Sequence, residues 1–242
     1  MSLQSSLASL FYSLILPIPA ILIAMSVHEL CHGFVADRCG DPTPRATGRL
    51  SLNPLHHIHP LGFITLLFVG FGFAKPVQVN PNNLKKPRRD MALVALAGPL
   101  SNLLMAFFGT LILILYTKYC AEPIASLSPR TGLICAQVLF QLLQSFVLIN
   151  LGFFTFNIIP LPPLDGSHIL FAILPARASR VLIRYQKTFY YIFLGLIILS
   201  ILSARIPALA SFDILSLSLG WVRSTLYRLF LDFWGLFPGL CV

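Results

Sequence analysis

The stretch Ile18-Pro19-Ala20-Ile21-Leu22-Ile23-Ala24-Met25-Ser26-Val27-His28-Glu29-Leu30-Cys31-His32 closes a run with no formal charge from Met1 to His28. An apolar run of this length reads as a membrane helix. His28 and His32 stand at i and i+4, one turn apart on the same face, so both imidazoles can hold one metal ion. Glu29 sits beside the first, where a carboxylate can take a proton from water on that metal. A carboxylate within a membrane helix is costly and normally marks function. The motif therefore sets metal chemistry in apolar surroundings.

The rest of the chain has the same character. Of its 242 residues 57% are hydrophobic and only 10% are charged. Soluble domains carry about 25% charged residues. We read an all-α polytopic membrane protein with about five or six membrane segments and no separate soluble module. A net charge of +9 could suggest nucleic acid. The basic residues, however, cluster in short loops between apolar segments, which is a topology signal, and no nucleic-acid partner is expected. Five cysteines with no C-x-x-C pair argue against a disulfide framework or a thiolate zinc site. Residues 1–27 lack a basic leader and run straight into the metal motif, so no cleaved signal peptide is expected.

The first span covers about residues 15–35, with residues 3–14 extending it or lying at the interface. Residues 61–74 are apolar but number only 14 and include three glycines. That is too short to cross a ~30 Å core as a helix. Basic loops flank both ends, so both ends face one side, and a membrane-embedded re-entrant hairpin or loop is expected. Longer spans follow at about 91–116, 132–159 and 188–202. Residues 37–60, 75–90 and 175–187 hold 3 + 5 + 4, or 12, of the 17 Lys and Arg. The positive-inside rule then puts the N-terminus outside and the metal helix ending at the cytosolic face. Beyond Arg205, residues 206–221 read as a further membrane segment interrupted by Asp213. Residues 221–234 read as an interfacial amphipathic helix.

A catalytic zinc site takes three protein ligands and leaves one position open. Seven acids besides Glu29 are available for the third place. Asp165 stands out in Asn157-Ile158-Ile159-Pro160-Leu161-Pro162-Pro163-Leu164-Asp165-Gly166, directly after an apolar span. The prolines end that helix at the same side on which the His28/His32 helix ends.

Together with Gly98-Pro99-Leu100-Ser101-Asn102, these motifs resemble the site-2 protease family of intramembrane zinc metalloproteases. The likeness runs from about Ile15 to Arg205 and is nearest to small prokaryotic members without PDZ or CBS domains. It implies one zinc ion held by His28, His32 and Asp165, with Glu29 as general base. It also implies a transmembrane protein substrate in the lipid bilayer of a bacterial plasma membrane, with the active site toward the cytosol. Residues 1–205 would form the membrane-embedded metalloprotease core. Residues 206–242 would form a C-terminal membrane segment, an interfacial helix, or both.

Asn102 and Asn157 are candidates for stabilising the oxyanion or binding substrate backbone. His57, His59 and His168 are candidates for neighbours of the ligands, though loop histidines are more often simply hydrogen-bonded at an interface. Where the family pattern has His-Ile-Asp-Pro, this chain has His57-Ile58-His59-Pro60. A metal permease built on the same ligands is the alternative, but paired repeats, usual in transporters, are absent.

Overall fold

A computed structural model describes residues 14–69, 74–237 and Leu240. The expectation for residues 3–14 falls almost wholly outside them. Eight helices organise the described residues: α1 (Ile18–Arg38), α2 (Pro60–Val69), α3 (Pro87–Leu115), α4 (Thr131–Asn157), α5 (Asp165–Ile173), α6 (Ala176–Arg184), α7 (Gln186–Ser203) and α8 (Ile214–Gly235). Four of them are long and apolar enough to cross a membrane: α1, α3 with its continuation to Ser126, α4 and α7.

The helix ends follow local chemistry. Pro19 lies in the first turn of α1, where a missing N–H costs nothing. Gly40 ends the helix with φ +111°, and Asp41 N–H reaches back to Ala36 O at 3.0 Å, a Schellman closure. At the start of α3, Asp90 Oδ2 accepts the Lys86 N–H at 2.7 Å, so the first-turn acid reaches back to the amide of the residue that precedes the helix.

Helices α1, α3 and α4 form the central three-helix layer, and α5 packs on α3. Small residues let the backbones approach, as is usual between membrane helices: Ala24, Ala36 and Ala106 are fully buried, and Gly109 lies under Phe146 and Val147. Leu164, Phe193 and Ile197 form a second cluster that seats the proline-rich turn against α7.

The three basic loops collect at one end of the bundle. Lys85 N–H donates to Cys39 O at 3.2 Å, joining the start of α3 to the end of α1. The Arg88 guanidinium donates to Phe171 O at 3.1 Å, and Ser179 Oγ–H donates to the same carbonyl at 2.9 Å. The end of α5 and the start of α6 therefore meet the start of α3.

The short apolar segment leaves and returns at one place, as its basic flanks predict. Ile58 and Ala74 form an antiparallel bridge, and Lys75 N–H donates to His57 O at 2.8 Å. Its outward limb is helical. At ten residues α2 rises about 15 Å, half of a bilayer core.

The C-terminal part differs from the expectation at one point. Asp213 does not interrupt a helix; it starts one, its carboxylate accepting the Ser216 N–H at 3.0 Å. From there α8 runs through Trp221 without a break. Leu226, Tyr227 and Phe230 of α8 pack on Ala106, Val147 and Leu151.

Candidate metal centre

His28, Glu29 and His32 lie on the buried face of α1. Opposite them α3 presents Gly98, and a Cβ there would overlap the His32 ring and press on His28. Glycine at this position is a condition for the two imidazoles to sit against α3. Each ring is oriented through Nδ1. His28 Nδ1–H donates to Asn102 Oδ1 at 2.6 Å, and His32 Nδ1–H donates to the Val94 carbonyl at 2.7 Å. Both Nε2 atoms are thereby left as bare lone pairs, the state in which imidazole binds a metal.

Asp165 arrives from the other side. Helix α4 stops at Asn157, and the turn that follows ends at Leu164, extended with φ −78° and ψ 157°. Asp165 is the first residue of α5, and a Cβ on Gly166 would strike the Ile158 and Ile159 carbonyls. The turn closes tightly only with glycine there. Leu164 N–H to Leu161 O at 2.9 Å and Ser167 Oγ–H to Leu164 O at 2.7 Å lock it.

The three donors converge. His28 Nε2 and His32 Nε2 are 3.0 Å apart, and Asp165 Oδ2 lies 3.2 and 3.3 Å from them. Ligands at about 2.0–2.1 Å from a tetrahedral zinc stand roughly 3.3 Å from one another. Asp165 Oδ2 is buried and has no well-formed hydrogen bond. Three electron-rich atoms facing one point without a proton between them repel, and a cation at that point removes the repulsion. The donor set, two imidazoles and a carboxylate, suits zinc.

Glu29 Oε2 accepts the Val77 N–H at 2.9 Å, so the chain returning from the re-entrant segment holds the carboxylate beside the centre. The remaining candidates are less central. Asn102 is at the site, but its amide is fully engaged: Oδ1 on His28, and Nδ2 donating to Asn150 Oδ1 at 2.8 Å and Ala24 O at 3.2 Å. Asn157 is half-buried at the end of α4, with Nδ2 donating to Phe153 O at 3.0 Å. His57 is buried in the loop, its Nε2–H donating to Ser51 O at 2.7 Å. His59 Nδ1 accepts the Gly62 N–H at 3.4 Å at the start of α2. His168 is exposed one turn beyond Asp165, with its ring edge-on to Phe171.

Sequence reading missed Val94 and Asn150 and did not single out Gly98 or Val77 within the stretches that carry the family resemblance. Val94 and Val77 act through backbone atoms, which leave no side-chain signal of their own. Asn150 did carry one, as a polar side chain in the middle of an apolar helix.

Comparison with known proteins agrees with this chemistry. The model of Peptidase family M50 matches residues 17–201. "Putative zinc metalloprotease YwhC" of Bacillus subtilis (strain 168) is 39% identical over 178 residues, covering 74% of this chain and 78% of that relative. "Putative zinc metalloprotease Rip2" of Mycobacterium tuberculosis (strain ATCC 25618 / H37Rv) is 30% identical over 185 residues, 74% of this chain and 64% of the relative. Rip2 of Mycolicibacterium smegmatis (strain ATCC 700084 / mc(2)155) is 30% identical over 158 residues, 63% of this chain and 54% of the relative. No solved structure matches.

Proposed function

The chain belongs to peptidase family M50, the site-2 protease family, and on that premise we propose an intramembrane zinc metalloendopeptidase that cuts within or near the transmembrane helices of its substrates. One observation carries the reading: His28 Nε2, His32 Nε2 and Asp165 Oδ2 face a single point at 3.0–3.3 Å from one another. These three side chains would hold one zinc ion per chain. Bound there, zinc would supply Lewis-acid activation of water and of the scissile carbonyl.

The chain's own groups do the rest. Asn102 and the Val94 carbonyl fix the two imidazoles in one tautomer. Glu29, held through Oε2 by the Val77 N–H, keeps Oε1 to take a proton from the attacking water and return it to the leaving nitrogen. Asn102 has spent every polar atom on the protein and acts as a positioning residue. Asn157 retains one amide hydrogen and its carbonyl and remains the candidate for substrate backbone.

A substrate helix hides its carbonyls in i to i−4 bonds and must unwind before attack. The non-helical stretch 75–80 passes the centre at Val77. An unwound substrate pairing along it would regain the lost backbone hydrogen bonds. The protein is an integral membrane protein, and the basic loops gathered at one end support a cytosolic position for that end and for the metal centre.

Glu29→Gln is the test. Zinc is retained, while cleavage of a co-expressed model membrane substrate falls by about 10²–10⁴-fold. Undiminished proteolysis removes Glu29 from the base role. Zinc flux across vesicles in place of proteolysis replaces the peptidase with a permease.

A further inference from the structure

We propose that Asn150 is a positioning residue for the metal centre, fixing the direction of the Asn102 amide and through it the tautomer of His28. The inference rests on the reading of His28 as a zinc ligand. It begins at a helix carbonyl. Asn150 Nδ2–H donates to Phe146 O, one turn earlier in α4, at 2.8 Å. That bond turns Asn150 Oδ1 toward α3, where it accepts from Asn102 Nδ2–H at 2.8 Å. The second Asn102 N–H goes to Ala24 O at 3.2 Å. Both amide hydrogens are spent, so Asn102 Oδ1 faces His28, and only an Nδ1–H can stand 2.6 Å from it. The Nε2 lone pair is then directed at the metal position.

Reversing the Asn150 amide would set its oxygen against Phe146 O and its N–H against the Asn102 N–H. Reversing the Asn102 amide would set its oxygen against Asn150 Oδ1 and Ala24 O and turn an N–H toward His28. Asn102 and Asn150 are each 0% exposed, so water cannot substitute for a lost partner. His32 needs no such relay, because its Nδ1–H meets the Val94 backbone directly. His28 is thus the ligand whose orientation depends on a chain of side chains through three helices. Asn150 lies in Phe146-Val147-Leu148-Ile149-Asn150-Leu151, where a lone amide costs free energy unless it is paired.

The test is zinc affinity of the full chain in detergent, measured by competition with a chromophoric chelator. Asn150→Leu and Asn150→Ala remove the acceptor, one with similar volume and one by truncation. Both are expected to weaken zinc about 10-fold or more, with kcat lowered and KM unchanged. Asn150→Asp keeps the acceptor and, neutral in an apolar interior, a donor toward Phe146, so it restores affinity close to the unaltered protein. Unchanged affinity in N150L and N150A overturns the relay, and so does an equal loss in N150D. If N150L does not fold, N150A against N150D makes the same decision. His28→Ala separates the two levels. Zinc retained in that variant removes the ligand reading. The relay is then judged alone by the ¹⁵N resonance of His28 Nδ1 in metal-free protein: protonated in the unaltered chain and mixed in N150A if the relay holds, identical in both if it does not.

Discussion

Helix α3 makes two contacts of opposite kind, one buried and one partly exposed. Toward α1 and α4 it offers Val94, Gly98 and Asn102, and each hydrogen bond there runs to one acceptor in one direction. Toward α8 it offers Phe107 and Phe108, which meet Trp234, with Phe107 also against Phe230 and Phe233 at ring centroids 5.1–5.2 Å apart. The first contact is decided by atoms and angles, and the second by contact area. Damage at the first should therefore cost chemistry before stability, and damage at the second the reverse.

The largest effect is expected from Asp165→Asn, which keeps the shape of the side chain and removes its charge. Zinc should no longer co-purify, by metal analysis, while helix content stays unchanged by circular dichroism. Retained zinc would break the directional account of this contact. Gly98→Ala comes next. Its methyl group displaces both rings, and zinc affinity should fall on the order of 10- to 100-fold, with melting of the metal-free protein little altered.

Trp234→Ala probes the other contact. Trp234 is half-buried and its Nε1–H donates to Phe107 O at 3.0 Å, so truncation should cost roughly 2–3 kcal/mol, below the 3–5 of a fully buried aromatic. Denaturant unfolding in detergent reads that loss. Zinc affinity should not move; a parallel loss of zinc would mean that the two contacts are not separable.

The same contrast governs what the sequence disclosed. The i, i+4 histidines and the proline-rich turn before Asp165 are local patterns, readable wherever they occur. The basic flanks of residues 61–74 reported correctly that the segment returns, which the Ile58–Ala74 bridge confirms. They could not report that α2 is helical, because Gly62, Ile64, Thr65 and Val69 suit a turn or strand equally well. The role of Asn102 was hidden because its partners lie 48 to 78 positions away. Only tertiary packing shows that no part of its amide is left for a substrate. Asp213 misled for a different reason: an acid between apolar runs reads as an interruption until its carboxylate is seen on the Ser216 amide.

Asp41 gives the smallest expected effect and extends the comparison to a third place. It is directional like the metal contact but lies in the loop after α1, where it joins two basic loops. Its carboxylate is 0% exposed and accepts from Thr43 N–H, Thr43 Oγ1–H, Asn80 N–H and Asn83 Nδ2–H at 2.6–3.1 Å. Burial pushes its pKa up, but these donors outweigh burial and hold it below the ordinary 3.8. A carboxyl with a depressed folded pKa contributes stability that is complete above its unfolded pKa and is lost as pH falls through the folded one. The junction between residues 41–43 and 80–83 should be firm at neutral pH and loosen progressively below about pH 4. Asp41→Asn should lose roughly 1–3 kcal/mol at pH 7, and its deficit should shrink as the unaltered protein is acidified. Hydrogen exchange at the Thr43 and Asn80 amides, followed from pH 7 to pH 3, measures both. A deficit that stays constant across that range would mean that shape, not charge, holds the junction.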